Sequence, residues 1–256
     1  IVIFDEAVEV ACKYSLTSMP SAPIIWDKKN NSGKCKALIV NSGNANAYTG
    51  ISGLISIDKY TKDLSTYLSC SKKEILVSST GVIGEQLKSE FISKKIRKLP
   101  FTNNKMLIDA ANAIGTTDTF VKTSVQILKI QNKTIKIYGF AKGSGMISPN
   151  MATMLAYIFI DCKISSKTLK RLLLENTEET FNSISVDSDT STSDTLMLFS
   201  NPINTIRLEK SQYNKISKTL NKVMSELSYK IISDGEGVKK LTKVTVKNAQ
   251  SKTQAK

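Results

Sequence analysis

With 256 residues, the chain is long enough for one large domain or two small ones around a sizeable core. Its 41% hydrophobic and 23% charged residues argue against a disordered or low-complexity chain, and no apolar run approaches the roughly 18–20 residues a membrane span needs. The net charge of +14 raises nucleic-acid binding as a possibility, but the lysines are scattered, aromatics do not interleave with them, and only Arg97, Arg171 and Arg207 are arginines. A solvated lysine-rich surface with no nucleic-acid partner is the expectation.

Taken in chain order, ALIVN at 37–41 predicts a buried strand running into a small-residue loop, Ser42 to Gly50. Tyr60, Leu64, Tyr67 and Leu68 are spaced for an amphipathic helix over 58–69. EILVSSTGVIGEQL predicts a strand at 75–78, a turn at Thr80-Gly81 and a helix from about Glu85. Residues 104–114 read as helix, and 123–130 and 134–140 as strands joined by a turn at Gln131-Asn132. After the loop AKGSGMISPN comes a strand at 154–160, then a helix capped by Ser165 or Ser166 and running to about Phe181. VDSDTSTSDTLMLFS leads into another strand, and 213–232 reads as a final helix. Such mixed alternation predicts an α/β fold with layered packing.

Histidine is absent, which excludes Ser-His-Asp and Cys-His catalysis within this chain and leaves a carboxylate, a lysine or a terminal amine as base. Cys12, Cys35, Cys70 and Cys162 lie far apart with no CxxC pair, so inert thiols in a reducing cytosol are expected, with no zinc site. Neither a signal peptide nor a membrane anchor is visible, giving a cytoplasmic, membrane-free expectation. The start at Ile1 and the polar end read as those of a fragment.

Two tempting motifs fail. In GFAKGSG, Lys142 precedes the second glycine where the Walker pattern needs it to follow, and Ser148 occupies the third glycine position of GxGxxG. DSDTSTSD, Asp187 to Asp194, has Thr192 at the central glycine position of a calcium loop and Leu198 where the bidentate Glu belongs, so a hydrogen-bonded connector is expected. Thr153 offers different chemistry. Cleavage before it would free an α-amine with a pKa of about 7.7–8.0, placed on the same residue as the hydroxyl it would help deprotonate. Gly143, Gly145 and Pro149 would let the preceding loop bend, and Ala152 leaves its own carbonyl approachable.

The segment KGSGMISPNMATMLAYIFID closely resembles the self-cleavage region of the ornithine acetyltransferase, or glutamate N-acetyltransferase, family of arginine biosynthesis. ALIVNSGNANAYTG, SSTGVIGEQL, ANAIGTTDTF, FNSISVDSDTSTSDT and ISDGEGVKKL resemble further blocks of that family, in its order, from about Ala7 to Val246. The resemblance implies a mixed α/β fold with layered sheets and helices of the DmpA/ArgJ-like type. It implies a precursor that cuts itself between Ala152 and Thr153, with residues 1–152 as α subunit and 153–256 as the start of the β subunit, paired in a heterotetramer. Acetyl would pass from N2-acetylornithine to Thr153 and then to glutamate, with no cofactor and no metal; acetyl-CoA stays open as a second donor.

By the same resemblance, Thr80 and Gly81 form the oxyanion hole. Lys142 and Thr116 bind substrate, Thr117 being the fallback for Thr116, and Glu236 lies beside the nucleophile to bind the substrate amine or assist proton transfer. A C-terminal tail that contributes an Asn and a Thr or Ser would come after the present end. Ser188 and Ser193 stand where the family pattern has Gly and Asn, so a positive φ at Ser188 would strain its turn; Gly115 and Val121 also differ. The alternative reading is a related N-terminal-nucleophile aminopeptidase or amidase.

Overall fold

A computed structural model describes residues 1–99, 107–130, 132–148, 154–201 and 208–255. Seven strands form one mixed sheet: β1 (Val2–Tyr14), β2 (Lys34–Asn44), β3 (Ile75–Val82), β4 (Lys122–Ile130), β5 (Lys133–Lys142), β6 (Leu155–Ile160) and β7 (Thr195–Ser200), in the order β3-β2-β1-β7-β6-β5-β4. β2–β3 and β6–β7 pair in parallel, and the other neighbours are antiparallel. The α-helices among the described residues are α1 (Ala22–Asn30), α2 (Gly50–Leu68), α3 (Ser89–Ile96), α4 (Leu107–Ile114), α5 (Ser166–Thr177), α6 (Tyr213–Ser233) and the short α7 (Lys252–Ala255). The expected mixed α/β class holds.

Every residue of β6 and β7 is buried, because these strands are covered on both faces. Along β6 the side chains divide by parity. Ala156, Ile158 and Ile160 meet Leu169, Leu172 and Leu173 of α5 and Leu220, Val223 and Leu227 of α6. Leu155, Tyr157 and Phe159 join Phe4, Phe140, Phe199 and Ile114 on the opposite face. The Phe159 and Phe199 rings stack with centroids 5.0 Å apart. A third cluster packs Trp26, Ile57, Tyr60 and Leu64 against Ala37, Ile39, Ile75 and Val77.

Several boundaries differ from the sequence expectation. Thr80 and Gly81 belong to β3 instead of a turn, because β2 carries the pairing on through Ser42↔Thr80 and Gly43↔Gly81. The next helix starts at Ser89, not Glu85, and α5 ends at Thr177, short of Phe181. β1 and α1 were not anticipated: β1 has an irregular register between Ile3 and Val8 that breaks its alternation, and α1 carries a proline in its first turn. Ser165 does cap α5, accepting from the Thr168 N–H. Residues 104–106 and Gln131 lie outside the described residues.

The four cysteines are free thiols, and burial pushes Cys12 up to about 12 and Cys162 up to about 11, in keeping with inert sulfur. No helix among the described residues is long and apolar enough to cross a membrane.

Candidate functional site

The ends of three segments converge. β3 delivers Thr80, the turn between α4 and β4 delivers Thr116, and Lys142 is the last residue of β5. Lys142 Nζ donates to Thr116 Oγ1 at 2.8 Å and to Thr80 Oγ1 at 3.1 Å. The lysine is 4% exposed, and burial lowers its pKa while Asp118 opposes that loss.

Thr80 can stand here because its neighbour is Gly81. A Cβ on Gly81, whose φ is +129°, would fall 2.2 Å from the Gly43 carbonyl carbon, so glycine alone allows the strands this close. The β2–β3 register shifts at the same point, Asn44 pairing with both Thr80 and Val82.

Asp118 organises the turn below. Its carboxylate accepts from Lys122 Nζ at 2.5 Å, the Gly143 N–H at 2.8 Å and the Thr116 N–H at 3.2 Å, and lies 4.0 Å from Lys142 Nζ. Burial alone would raise its pKa, but the Gly143 N–H and Lys122 outweigh that and hold the carboxyl below the usual range. Lys122, fully buried, also meets Asp234 at 2.5 Å, and Asp234 accepts from the Thr119 N–H and hydroxyl. The end of α6 is thereby tied to the turn carrying Thr116. A cavity of about 140 Å³ opens beside Asp118 and Lys142, lined by Ala111, Asn112 and Phe120 among others.

Glu236 lies two residues beyond Asp234. Its N–H donates to the Ser144 carbonyl at 2.7 Å, and a Cβ on Gly145 would lie 2.9 Å from its carboxylate, so Gly145 gives that side chain room. Thr117 does not join Lys142; its hydroxyl is 2.5 Å from that of Ser144.

Ala152 and Thr153 lie outside the described residues. Met154, the next described residue, donates its N–H to Asp194 Oδ1 at 3.0 Å, and its carbonyl accepts from the Thr195 N–H at 3.0 Å. Leu155, next in sequence, pairs directly with Lys142. Asp194 is fully buried, and desolvation raises its carboxyl well above the ordinary value. Asp187 accepts from the N–H groups of Met146, Ile147 and Asp189, so DSDTSTSD is a hydrogen-bonded connector, as expected. Ser188 has φ +64°, the strained geometry its sequence position suggested.

The structure brings three of the residues singled out in the sequence, Thr80, Thr116 and Lys142, within hydrogen-bonding reach of one another; Asp118, Lys122 and Asp234 carried no such signal, and Asp194 was read only as part of a connector. Asp118 sits inside the TTDT block, yet only tertiary burial distinguishes it from any turn aspartate.

The sequence profile of the ArgJ family matches residues 1–256. "Arginine biosynthesis bifunctional protein ArgJ" of Bradyrhizobium diazoefficiens is 38% identical over 263 residues, covering 99% of this chain and 64% of the relative. The protein of the same name from Bartonella henselae is 39% identical over 262 residues, covering 100% and 64%. The chain thus spans a little under two thirds of the length of these relatives. A crystal structure of Arginine biosynthesis bifunctional protein argJ from Bacillus halodurans matches with TM-score 0.51 at 33% identity, over 58% of this chain and 85% of that one. An aminopeptidase from Ochrobactrum anthropi, described as a variant of the Ntn hydrolase fold, shares the fold at 9% identity and TM-score 0.51, over 90% of this chain and 74% of that one. With a family match along its whole length and curated relatives at 38–39% identity, the chain belongs to the ArgJ family.

Proposed function

We propose that the protein is a glutamate N-acetyltransferase of arginine biosynthesis, which moves acetyl from N2-acetylornithine to glutamate through an ester on Thr153. The observation that carries this reading is Lys142, buried at the end of β5 with its ammonium on Thr80 and Thr116 and paired across the sheet two residues from Thr153. The curated relatives, named for arginine biosynthesis, support it.

In this scheme the precursor first cuts the Ala152–Thr153 bond, leaving 1–152 as α subunit and residues from 153 onward in the β subunit of a cytoplasmic heterotetramer. The freed α-amine takes the proton from Thr153 Oγ1 as that oxygen attacks the acetyl carbonyl. The Thr80 hydroxyl and the Gly81 N–H donate to the oxyanion, each worth roughly 2.7–4 kcal/mol. Ornithine leaves with its amine protonated, and the amine of glutamate attacks the ester in the reverse sense. Among the described residues Lys142 gives two of its three N–H donors to threonines, and in this scheme its charge and the third donor meet the α-carboxylate common to both amino acids. Thr116 borders that carboxylate, and Glu236 receives the substrate amine. Acetyl-CoA is a further candidate donor.

The test is a denaturing gel and mass spectrum of the protein beside Thr153→Ala. The parent should give two fragments, the C-terminal one gaining an acetyl mass with N2-acetylornithine, and the variant a single uncut chain. An uncut parent, or a fragment that never acquires the mass, refutes the scheme. Release of acetate without acetylglutamate would instead favour the aminopeptidase or amidase reading.

A further inference from the structure

Lysine is a donor only, so the 3.1 Å bond between Lys142 Nζ and Thr80 Oγ1 has one possible polarity: the threonine oxygen accepts. The Thr80 hydroxyl proton is thereby left for another acceptor, and the adjacent cation pulls electron density from the O–H bond. Lys142 is in turn held from behind. Asp118 lies 4.0 Å from its ammonium, and the carboxylate cannot swing away because Lys122, the Gly143 N–H and the Thr116 N–H grip both of its oxygens. Asp118 and Lys122 have side chains 6% and 0% exposed, so water screens this cluster little.

We propose that Asp118 is a positioning residue acting through Lys142: its carboxylate holds the ammonium against Thr80 and so turns the Thr80 proton toward the reacting carbonyl. The inference rests on the reading of Thr80 as an oxyanion donor. It assigns Lys142 a second task besides receiving a carboxylate, and it explains why a turn two residues past Thr116 carries a buried acid. Desolvation of Lys142 works against its charge, and Asp118 is the leading charge that restores it. Among the described residues, Asp118 and Thr80 share no hydrogen bond and are linked through Lys142 Nζ. Two residues so separated should contribute independently unless the lysine relays between them.

A double-mutant cycle tests this on the complete, self-processed protein, with kcat for acetyl transfer as readout. Thr80→Val should lower kcat about 100-fold in the parent but no more than about 10-fold in an Asp118→Asn background. Equal losses in both backgrounds overturn the relay, as does an Asp118→Asn variant whose kcat matches the parent. If Asp118→Asn does not fold, the same cycle with Asp118→Ser decides: coupling supports the relay and additivity overturns it. Titration of the Lys142 Cε resonance gives a readout independent of acetyl transfer. The lysine should lose its proton at lower pH in Asp118→Asn, and an unchanged titration overturns the proposal. A parent protein that transfers no acetyl group would refute the proposed function, leaving this titration to judge the link between Asp118 and Lys142.

Discussion

Asp194 Oδ1 accepts the Met154 N–H at 3.0 Å, clamping the start of β6 to the start of β7 at the peptide unit whose carbonyl belongs to Thr153. The clamp is fully buried, so its loss would strand an amide with no water to receive it. Asp194→Ala should therefore lose about 1–3 kcal/mol of stability and, under the proposed scheme, slow self-cleavage. Asp194→Asn keeps an acceptor of the same shape and should retain both properties. Urea melts of the uncut Thr153→Ala background give the first quantity, and timed denaturing gels give the second.

Asp27 is buried on α1, where it accepts from the Val77 N–H at 3.0 Å and from the Tyr14 hydroxyl at 3.2 Å. Desolvation pushes its carboxyl well above the ordinary value despite those two donors. An unfolded aspartate titrates near about 3.9. With the folded value raised, the stabilising contribution of the protonated form is complete below that pH and drains away as pH climbs through the folded pKa. An asparagine in its place would keep both partners without ionising, its oxygen accepting from Val77 and its amide donating to the Tyr14 oxygen. Asp27→Asn should thus raise the melting temperature more at pH 8 than at pH 4, read from thermal melts across that range.

Lys122 stands between two carboxylates, Asp118 and Asp234, each 2.5 Å away. Replacing it with Met keeps the volume but leaves two buried acids facing each other, a change of the kind that costs about 3–5 kcal/mol when one partner of a buried pair is lost. Because Asp234 anchors the end of α6, Lys122→Met should also loosen Glu236 and, under the proposed reaction, raise KM for acetylornithine. Denaturant melts and steady-state kinetics check the two halves separately.

Gly81 and Ser188 both have positive φ, +129° and +64°, with opposite consequences. Gly81→Ala would drive a methyl into the Gly43 backbone, so the strand pair must part, costing about 1–3 kcal/mol and displacing Thr80. Ser188→Gly relieves a left-handed residue on an exposed turn and should gain up to about 1 kcal/mol with activity unchanged. Thermal melts of the two variants should move in opposite directions.

Much of this was legible along the chain. The β6 run LAYIFI, the regularly spaced leucines of α5 and the apolar stripe of α6 announce themselves by periodicity, because burial on one or two faces leaves a period in the sequence. The motif blocks pointed to Thr80, Gly81, Thr116, Lys142 and Glu236, and the turn residue Ser188 signalled its strain through the glycine it replaces. What periodicity could not reveal was β1, whose register slips and whose outward charges blur the alternation, and α1, whose proline and mixed faces carry no clear stripe.

Only the tertiary structure decided which charges are buried and with whom. Asp118 and Asp234 are far apart in sequence and meet on one lysine because the α4–β4 turn and the end of α6 close over the same end of the sheet. Local sequence determines which stretches become strand and helix, since propensity and apolar spacing act over a few residues. The electrostatics of the site depend on desolvation and on partners distant in sequence, and those quantities exist only once the chain has folded.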